Sequence, residues 1–562
     1  MKMIKKYVGG IGLLILFLGG RKVFGQESVS ERLNREMTLE REYNPTVQDA
    51  DKVNTLSIFQ EKEMKRVGVP CVDTTFLLLP EREFDIRATQ GMAVEMMSGS
   101  QRGYLHFAGG MLMSFNGDAV YRLVDTETDQ LGVAFSHHST NGERKYLHYD
   151  GIPSDVKEVK AKWNDNLAEL NYSHRLDGGT KIRAGAEYNY TGFNYYGNPV
   201  LRNGTPPDDG QVMQLFKAKV GVNSIADAER LCYRLDVDYR NFSYGKEING
   251  VTDIAEQMLA LDFDANITLL GEEEQRFGIS GELRTHFNIG VETSVSPYYK
   301  LRGKGWQALL GANFAFLSGE KKTTMVSPNI AASWEVARRT VIYAETHGAL
   351  CANTGYDISR INPFAAPIGQ LTPSRQWLDG RLGLRSGAPK GGWLDVFIGC
   401  KMTDDDYLFF PDKAALPLRV MEKIDTRLFF IGTTVRYSYG EWVETYLKAV
   451  FNQWEVIDGN EEVLEVYERP KAEVAVGVRL FLSEKLTFSM DYKLIAGRKS
   501  RFLEKDIHLQ DIHALHLNGG YALTETLSAH LELNNILFRP YELFYGHPLR
   551  SFHTLAGFSF TF

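Results

Sequence analysis

The chain of 562 residues holds only four cysteines, Cys71, Cys232, Cys351 and Cys400, and they stand between 49 and 161 positions apart. That spacing offers no C-x-x-C pair, zinc finger or dense disulfide framework. Proline is scarce, 18 residues against 52 glycines, so the chain is neither collagen-like nor a proline-rich low-complexity segment. A basic block is missing as well. The formal charge is −8, and setting aside residues 1–25, which carry Lys2, Lys5, Lys6, Arg21 and Lys22 and no acid, leaves 58 basic against 71 acidic residues, or −13. An acidic chain without a basic patch lacks the phosphate contacts on which nucleic-acid binding rests, so nucleic acid is not expected as a partner. Past Gln26 no apolar run approaches the roughly eighteen residues of a membrane-spanning helix. Enzymatic signatures are also absent: no G-x-S-x-G, no H-E-x-x-H, no Walker loop and no G-x-G-x-x-G after a strand, which reads as a non-enzyme without a cofactor.

What is present begins with Lys2, Lys5 and Lys6 ahead of a short apolar stretch from Val8 to Leu18, the shape of a secretory signal peptide with cleavage expected after Gly25. Hydrophobic residues make up 43% of the chain and aromatics 12%, with 27 Tyr and 32 Phe, yet mean hydropathy is −0.26. An exported, aromatic-rich chain with no helical span is either secreted and soluble or crosses a membrane as a β-barrel.

The barrel carries a testable signature, because lipid tolerates only helices and closed barrels, and a barrel strand alternates apolar residues toward lipid with polar or small ones toward the lumen. Val474, Val476, Val478 and Leu480 alternate with Glu473, Ala475, Gly477 and Arg479. Leu259, Leu261, Phe263, Ala265 and Ile267 alternate with Ala260, Asp262, Asp264 and Asn266. Charges gather on one face each time. A β-sandwich also alternates, but it rarely sustains such long strands over so much chain.

From Arg102 onward about 22 strands are expected, beginning near 103, 118, 129, 162, 180, 212, 229, 255, 275, 292, 305, 322, 340, 375, 391, 427, 441, 470, 485, 512, 525 and 551. Connections after even-numbered strands are mostly short, as at Gly303-Lys304 and Tyr439-Gly440, whereas several after odd-numbered strands, at 140–161, 194–211, 351–374, 403–426 and 453–469, are long. Short turns on one side and long loops on the other mark a bacterial outer-membrane barrel and put both chain ends in the periplasm. The expected fold is therefore all-β: an antiparallel transmembrane barrel at 102–562, preceded by a signal peptide at 1–25 and a leader at 26–101.

The last strand places Phe552, Thr554, Ala556, Phe558, Phe560 and Phe562 on one face, and a terminal phenylalanine in such a strand resembles the targeting signal that barrel assembly machinery reads in the bacterial outer membrane. The segment Leu533-Asn534-Asn535-Ile536-Leu537-Phe538, then Tyr541 to Pro548, resembles the final strands of TonB-dependent receptors, and Asn362-Pro363-Phe364 with Leu371-Thr372-Pro373-Ser374-Arg375 resembles a loop and strand start of the same barrels. The resemblance implies 22 strands and solute uptake across the outer membrane. It also implies a globular plug, for which the 76 residues 26–101 are too few and lack the glycine-rich strand motifs. They hold instead a motif with Tyr43, Pro45, Asp49 and Lys52 that resembles the leader of plugless receptor-like barrels of Bacteroidota.

A barrel this wide needs its lumen filled by the leader, by inward-folded loops or by another protein. Asp262, Asp264, Asp379, Arg381 and Arg385 are expected to line the lumen, either binding a solute or forming internal ion pairs. Tyr195, Tyr196, Tyr356 and Phe364 lie in expected loops and are candidate contacts for a ligand or partner. His137-His138 is a pair without a third ligand, so no metal is expected there. The implied partners are outer-membrane lipid, the assembly machinery, and a periplasmic or surface protein. The two functions in play are solute passage and a scaffold that forms a complex.

Overall fold

In the computed structural model the described residues run from Arg102 to Phe562, apart from short segments at 150–155, 198–208, 225–230, 247–254, 270–273, 288–289, 320–321, 352, 368–372, 388–390, 412–418, 441, 459–464 and 503–504. The signal segment, the leader and its Tyr43, Pro45, Asp49 and Lys52 lie outside the described residues. From Gly103 to Thr561 the chain forms a single 22-stranded antiparallel sheet. It closes on itself: the first strand, Gly103–Gly110, pairs with the last, His553–Thr561, with Leu105 opposite Phe560 and Phe107 opposite Phe558. Closure leaves no edge strand, so the backbone groups of the whole sheet are bonded within it. Among the described residues no helix is long and apolar enough to cross a membrane.

The two-residue period decides what each face shows. Leu259, Ile267 and Leu269 of Ala255–Leu269, Leu394, Val396 and Ile398 of Gly392–Pro411, and Phe429 and Ile431 of Arg419–Tyr439 stand exposed on the outer surface. Between them Asp262, Asp264 and Asp395 turn inward. On the final strand Phe558, Phe560 and Phe562 are exposed, and the Phe562 ring stacks on Phe560 at 5.4 Å and on Tyr121 at 6.0 Å. These rings form an aromatic edge beside the strand ends, as an interfacial girdle requires.

The rims differ as the spacing of turn residues implies. Connections after even-numbered barrel strands span two to six residues, and those after odd-numbered strands reach 22 residues between Cys351 and Ser374 and 18 between Asn534 and His553. One expected loop is a hairpin instead. Residues 403–411 and 419–426 continue the strands Gly392–Pro411 and Arg419–Tyr439, with Asp406 opposite Ile424 and Phe410 opposite Val420. The charged run Asp404-Asp405-Asp406 reads as loop, but Arg469 holds Asp406 through bonds of 2.7 and 3.0 Å and Thr426 adds one of 2.8 Å. Leu408, Phe410, Ile424 and Tyr467 then pack together in the extension.

Ile398 and Ile431 are ladder partners midway along the exposed apolar stretch of their strands. Replacing Ile398 with Arg is expected to destabilise the folded barrel in phospholipid vesicles by about 2–4 kcal/mol, the cost of a cation near the bilayer midplane. Guanidinium titration followed by tryptophan emission measures it, and an unchanged midpoint would place this face away from lipid.

Candidate functional site

Strands on opposite sides of so wide a barrel can meet only through something that crosses the lumen. Two long loops do so. One hydrophobic cluster joins Phe193, Tyr195 and Phe242 from one side of the wall, Tyr356 and Phe364 from the connection between Cys351 and Ser374, Ile495 and Ile512 from another arc, and Tyr541, Leu543 and Phe544 from the connection between Asn534 and His553. The lumen at the long-loop rim is thus spanned by the chain's own loops.

The first of these loops carries the helix Gly355–Ile361, which is too short to persist alone. Thr354 caps it, with Asp357 completing a capping box. The wall supplies the rest: Glu256 accepts from the amides of Gly355 at 2.5 Å and Tyr356 at 3.1 Å, and the Arg240 guanidinium lies 4.3 Å from the Tyr356 ring centre. Farther along, the backbone of Phe364 and Ala366 bonds to that of Arg419, which anchors the loop to the start of a barrel strand.

The second loop enters as a small hairpin in which Glu542–Phe544 pairs with His547–Pro548, a lid turned at Tyr545-Gly546. Gly546 has φ +76°, a conformation that disfavours a side chain. Gly197 leaves room for the lid's His547, whose imidazole occupies the place a Cβ would take. Phe364 packs on His547 with ring centres 4.2 Å apart, and Tyr196 lies 5.4 Å from it.

Polar atoms of the lid are met mostly by arginines. Arg498 donates to the carbonyls of Glu542 at 2.8 Å, Leu543 at 2.5 Å and Gln510 at 2.8 Å. Arg419 donates to the Tyr545 carbonyl at 3.2 Å and pairs with Glu468, which also accepts from Ser500 at 2.7 Å and the Tyr545 amide at 3.3 Å. Arg144 donates to the Tyr196 hydroxyl at 2.9 Å and the Pro548 carbonyl at 3.1 Å. The Glu542 carboxyl accepts from the Gly546 amide, and burial pushes it up to about 8 against the opposing pull of that amide and of Arg498. Burial, helped by Arg419, holds His547 neutral, well below the ordinary histidine range.

The expected site residues fall into separate groups. Tyr195, Tyr196, Tyr356 and Phe364 come together, but inside the packed cluster, with exposures of 0, 3, 9 and 3%. Asp262 and Asp264 stand on the strand face opposite the exposed Leu259 and Ile267: Asp264 accepts from the Tyr298 hydroxyl at 3.1 Å, and Asp262 has Asp236 and Glu282 as ladder neighbours and one buried oxygen without a hydrogen-bond partner. Arg183 and Arg234 offset that arc through Asp236 at 2.9 and 2.5 Å, as Arg284 does through Glu282 at 2.7 Å. On another arc Arg381 lies 4.4 Å from the Phe397 ring centre, Arg385 bonds Asp395 at 3.1 Å and stacks on Tyr343, and Asp379 faces Lys401 across the ladder. His137 and His138 are consecutive in the strand Asp129–Lys145, so they point to opposite faces. His137 bonds Asn166 at 2.7 Å, and His138 approaches Asp118 at 3.4 Å. Among the described residues no group of three or more His, Cys, Asp or Glu side chains is placed to hold a metal ion.

Sequence reading alone does not reach Arg144, Arg419, Arg498, Glu256 or Glu542 as a set. Its nearest signal is the run Tyr541 to Pro548, three aromatics with a glutamate and a histidine between two strands.

No protein-family model and no curated protein matches the chain. Solved structures match its fold. A siderophore receptor from Acinetobacter baumannii superposes with a TM-score of 0.64 at 10% identity, covering 83% of this chain and 81% of its own. A ferric enterobactin receptor from Pseudomonas aeruginosa, solved with enterobactin, gives 0.62 at 10% identity over 83% and 82%. The ferripyoverdine receptor of the Pseudomonas aeruginosa outer membrane gives 0.60 at 10% identity over 83% and 72%.

Two outcomes follow from these contacts. Glu256→Ala removes the acceptor for two helix amides and is expected to raise hydrogen exchange across 354–361 by at least tenfold; a Gln substitution, which keeps an acceptor, has the smaller effect. Glu542 has a pKa raised from 4.5 to about 8, so its contribution to holding the lid is complete below about pH 4.5 and is lost as pH rises through 8. Exchange of the amides at 541–549 should quicken between pH 7 and 9 beyond the intrinsic base dependence, and Glu542→Gln should remove the excess.

Proposed function

We propose that this chain is an outer-membrane barrel of TonB-dependent-receptor type that passes or takes up a solute, with the long-loop rim outside and both chain ends in the periplasm. The observation that carries the reading is a closed 22-stranded barrel whose wide lumen is spanned at one rim by its own packed loops. A barrel left empty would be a nonselective hole, and loops that span it are the parts from which controlled passage is made. The fold likeness to receptors of Pseudomonas aeruginosa and Acinetobacter baumannii supports the same reading. So does the rim asymmetry, with short turns at the rim where the chain enters. Lipid meets the outer apolar face, the assembly machinery reads Phe558, Phe560 and Phe562, and the leader 26–101, with Tyr43, Pro45, Asp49 and Lys52, docks a periplasmic partner.

A second reading, a scaffold barrel in complex with another protein, is favoured by one observation. Tyr195, Tyr196, Tyr356 and Phe364 are spent on internal packing and present no open aromatic surface to a solute.

Planar-bilayer recording separates the two. The intact chain is expected to stay mostly closed, and a variant with 541–548 replaced by a glycine-serine linker to show large, steady steps. Large steps from the intact chain would overturn the lid as a closure; silence from both, with copurification of a second protein, would favour the scaffold.

A further inference from the structure

We propose that His106 and His530 form a site for a divalent transition-metal ion of the copper or nickel type, with Asp118 behind His106 as a positioning residue and the remaining coordination positions open to water or to a chelating ligand. The inference deepens the uptake reading by naming a solute class and rests on that reading only for the ion's onward passage.

His106 lies on the first strand between the exposed Leu105 and Phe107, and His530 lies on the strand Leu527–Asn534 beside the exposed Leu531, so both imidazoles project from the face opposite the apolar one. The two strands are not neighbours. The last strand, His553–Thr561, runs between them, with Ser559 opposite His106 and Gly557 opposite His530. Gly557 lets the rings meet over it: a Cβ there would stand 2.6 Å from the His530 Nε2. Across that strand the two Nε2 atoms come within 2.9 Å of each other. On the far side of its ring, the His106 Nδ1 lies 2.9 Å from one Asp118 carboxylate oxygen, and the other oxygen accepts from the Ser136 hydroxyl at 2.7 Å. An ionised carboxylate only accepts, so Asp118 holds the His106 proton on Nδ1 and leaves its Nε2 as a bare lone pair.

A good hydrogen bond between two imidazoles runs along both ring axes, head to head. Here the ring centres are 4.6 Å apart, closer than a head-to-head pair with a 2.9 Å gap would place them, so the axes are bent away from that line. Imidazole nitrogens sit about 2.0–2.1 Å from a metal ion, and two that meet it at a right angle are separated by the 2.9 Å seen here. A right angle is the relation between neighbouring positions of a square-planar or octahedral ion, which suits Cu2+ or Ni2+, whereas tetrahedral zinc would hold the nitrogens farther apart. Asp118 supplies the carboxylate–histidine–metal order, in which the outer carboxylate fixes the tautomer and raises the basicity of the ligating nitrogen. His530 frees its Nε2 lone pair by carrying its proton on Nδ1, so two neutral imidazoles take the ion with no net change in protons. Among the described residues no group of three or more His, Cys, Asp or Glu completes such a site. Two protein nitrogens therefore leave the other positions to water or to a ligand that travels with the ion.

The test uses the full-length protein in detergent micelles, without a polyhistidine tag, with Cu2+ as the probe and Mg2+ as the hard-ion control. Calorimetry is expected to show one saturable Cu2+ site per chain, and electron paramagnetic resonance to show two nitrogens coupled to the ion. His106→Gln and His530→Gln, which keep a polar side chain, should each weaken Cu2+ at least about tenfold and remove one nitrogen from the spectrum. Asp118→Asn should weaken Cu2+ by about tenfold with both nitrogens still bound, a split that a merely structural role would not give. His137→Ala, on the opposite face of its strand, should change neither reading. Heat-modified gel mobility verifies that each variant remains a folded barrel. A wild-type chain with no saturable Cu2+ site or no nitrogen coupling, equal binding of Mg2+, indifference to either His→Gln change, or an equal loss in His137→Ala would each overturn the site. A chain that binds Cu2+ this way yet passes no solute in a bilayer keeps the site and loses the uptake reading; one that conducts without binding Cu2+ does the reverse.

Discussion

Everything in this molecule follows from the requirement that a backbone in lipid bond all its own polar groups. A strand cannot do this alone and a sheet cannot do it at its edges, so the first strand, Gly103–Gly110, must find the last, His553–Thr561. The outer surface can then be apolar at every second residue, which is why Ile398 and Ile431 are half exposed without being misplaced. The same closure makes the inside a problem. With 22 strands the circumference is set by the backbone, and inward side chains do not reach far enough to fill the middle.

The middle is filled at the long-loop rim by peptide, and peptide brings polar groups of its own. The helix Gly355–Ile361 is bonded internally and needs help only at its first turn, which Glu256 and Thr354 give. The lid hairpin pairs Glu542–Phe544 with His547–Pro548 over a short ladder, and the carbonyls that ladder leaves unpaired need donors. Arginine supplies several donors from one side chain and reaches across the gap, so Arg498 alone meets two lid carbonyls and one of the wall. A lysine would place a compact, strongly hydrated charge there instead.

These layers were unequally visible in the residue order. Strand starts at 103, 129, 180, 255, 340 and 512 coincide with the observed ones, because alternation and turn residues are local signals. Asp262, Asp264, Arg381 and Arg385 alternate with the exposed Leu259, Ile267, Leu382 and Leu384 by the same parity. At 419 the signal failed: the strand there continues on apolar contacts with Tyr467 and an ion pair from Arg469, neither of which is near in sequence. The lid was hidden for the same reason in stronger form. Arg144 and Pro548 stand 404 positions apart and Arg419 and Tyr545 126 apart, and nothing about an isolated arginine announces which carbonyl it will meet. Tyr195 and Phe364 were visible as aromatic loop residues, but whether such rings face solvent or one another depends on which loops share the lumen.

The way the lid is held also decides what can move. The loop between Cys351 and Ser374 is tied to the wall by backbone bonds from Phe364 and Ala366 to Arg419, and freeing it breaks a bridge to a barrel strand. The lid at 541–548 is tied to the wall through the side chains of Arg144, Arg419, Arg498 and Glu468. Side-chain attachments can be exchanged one for one with another set of acceptors, while the ladder of the barrel stays whole. Local opening of this segment therefore costs much less than unfolding the sheet, and the two processes are separable in free energy. The barrel is held by its backbone ladder, and the lid that closes its rim is held largely by side chains.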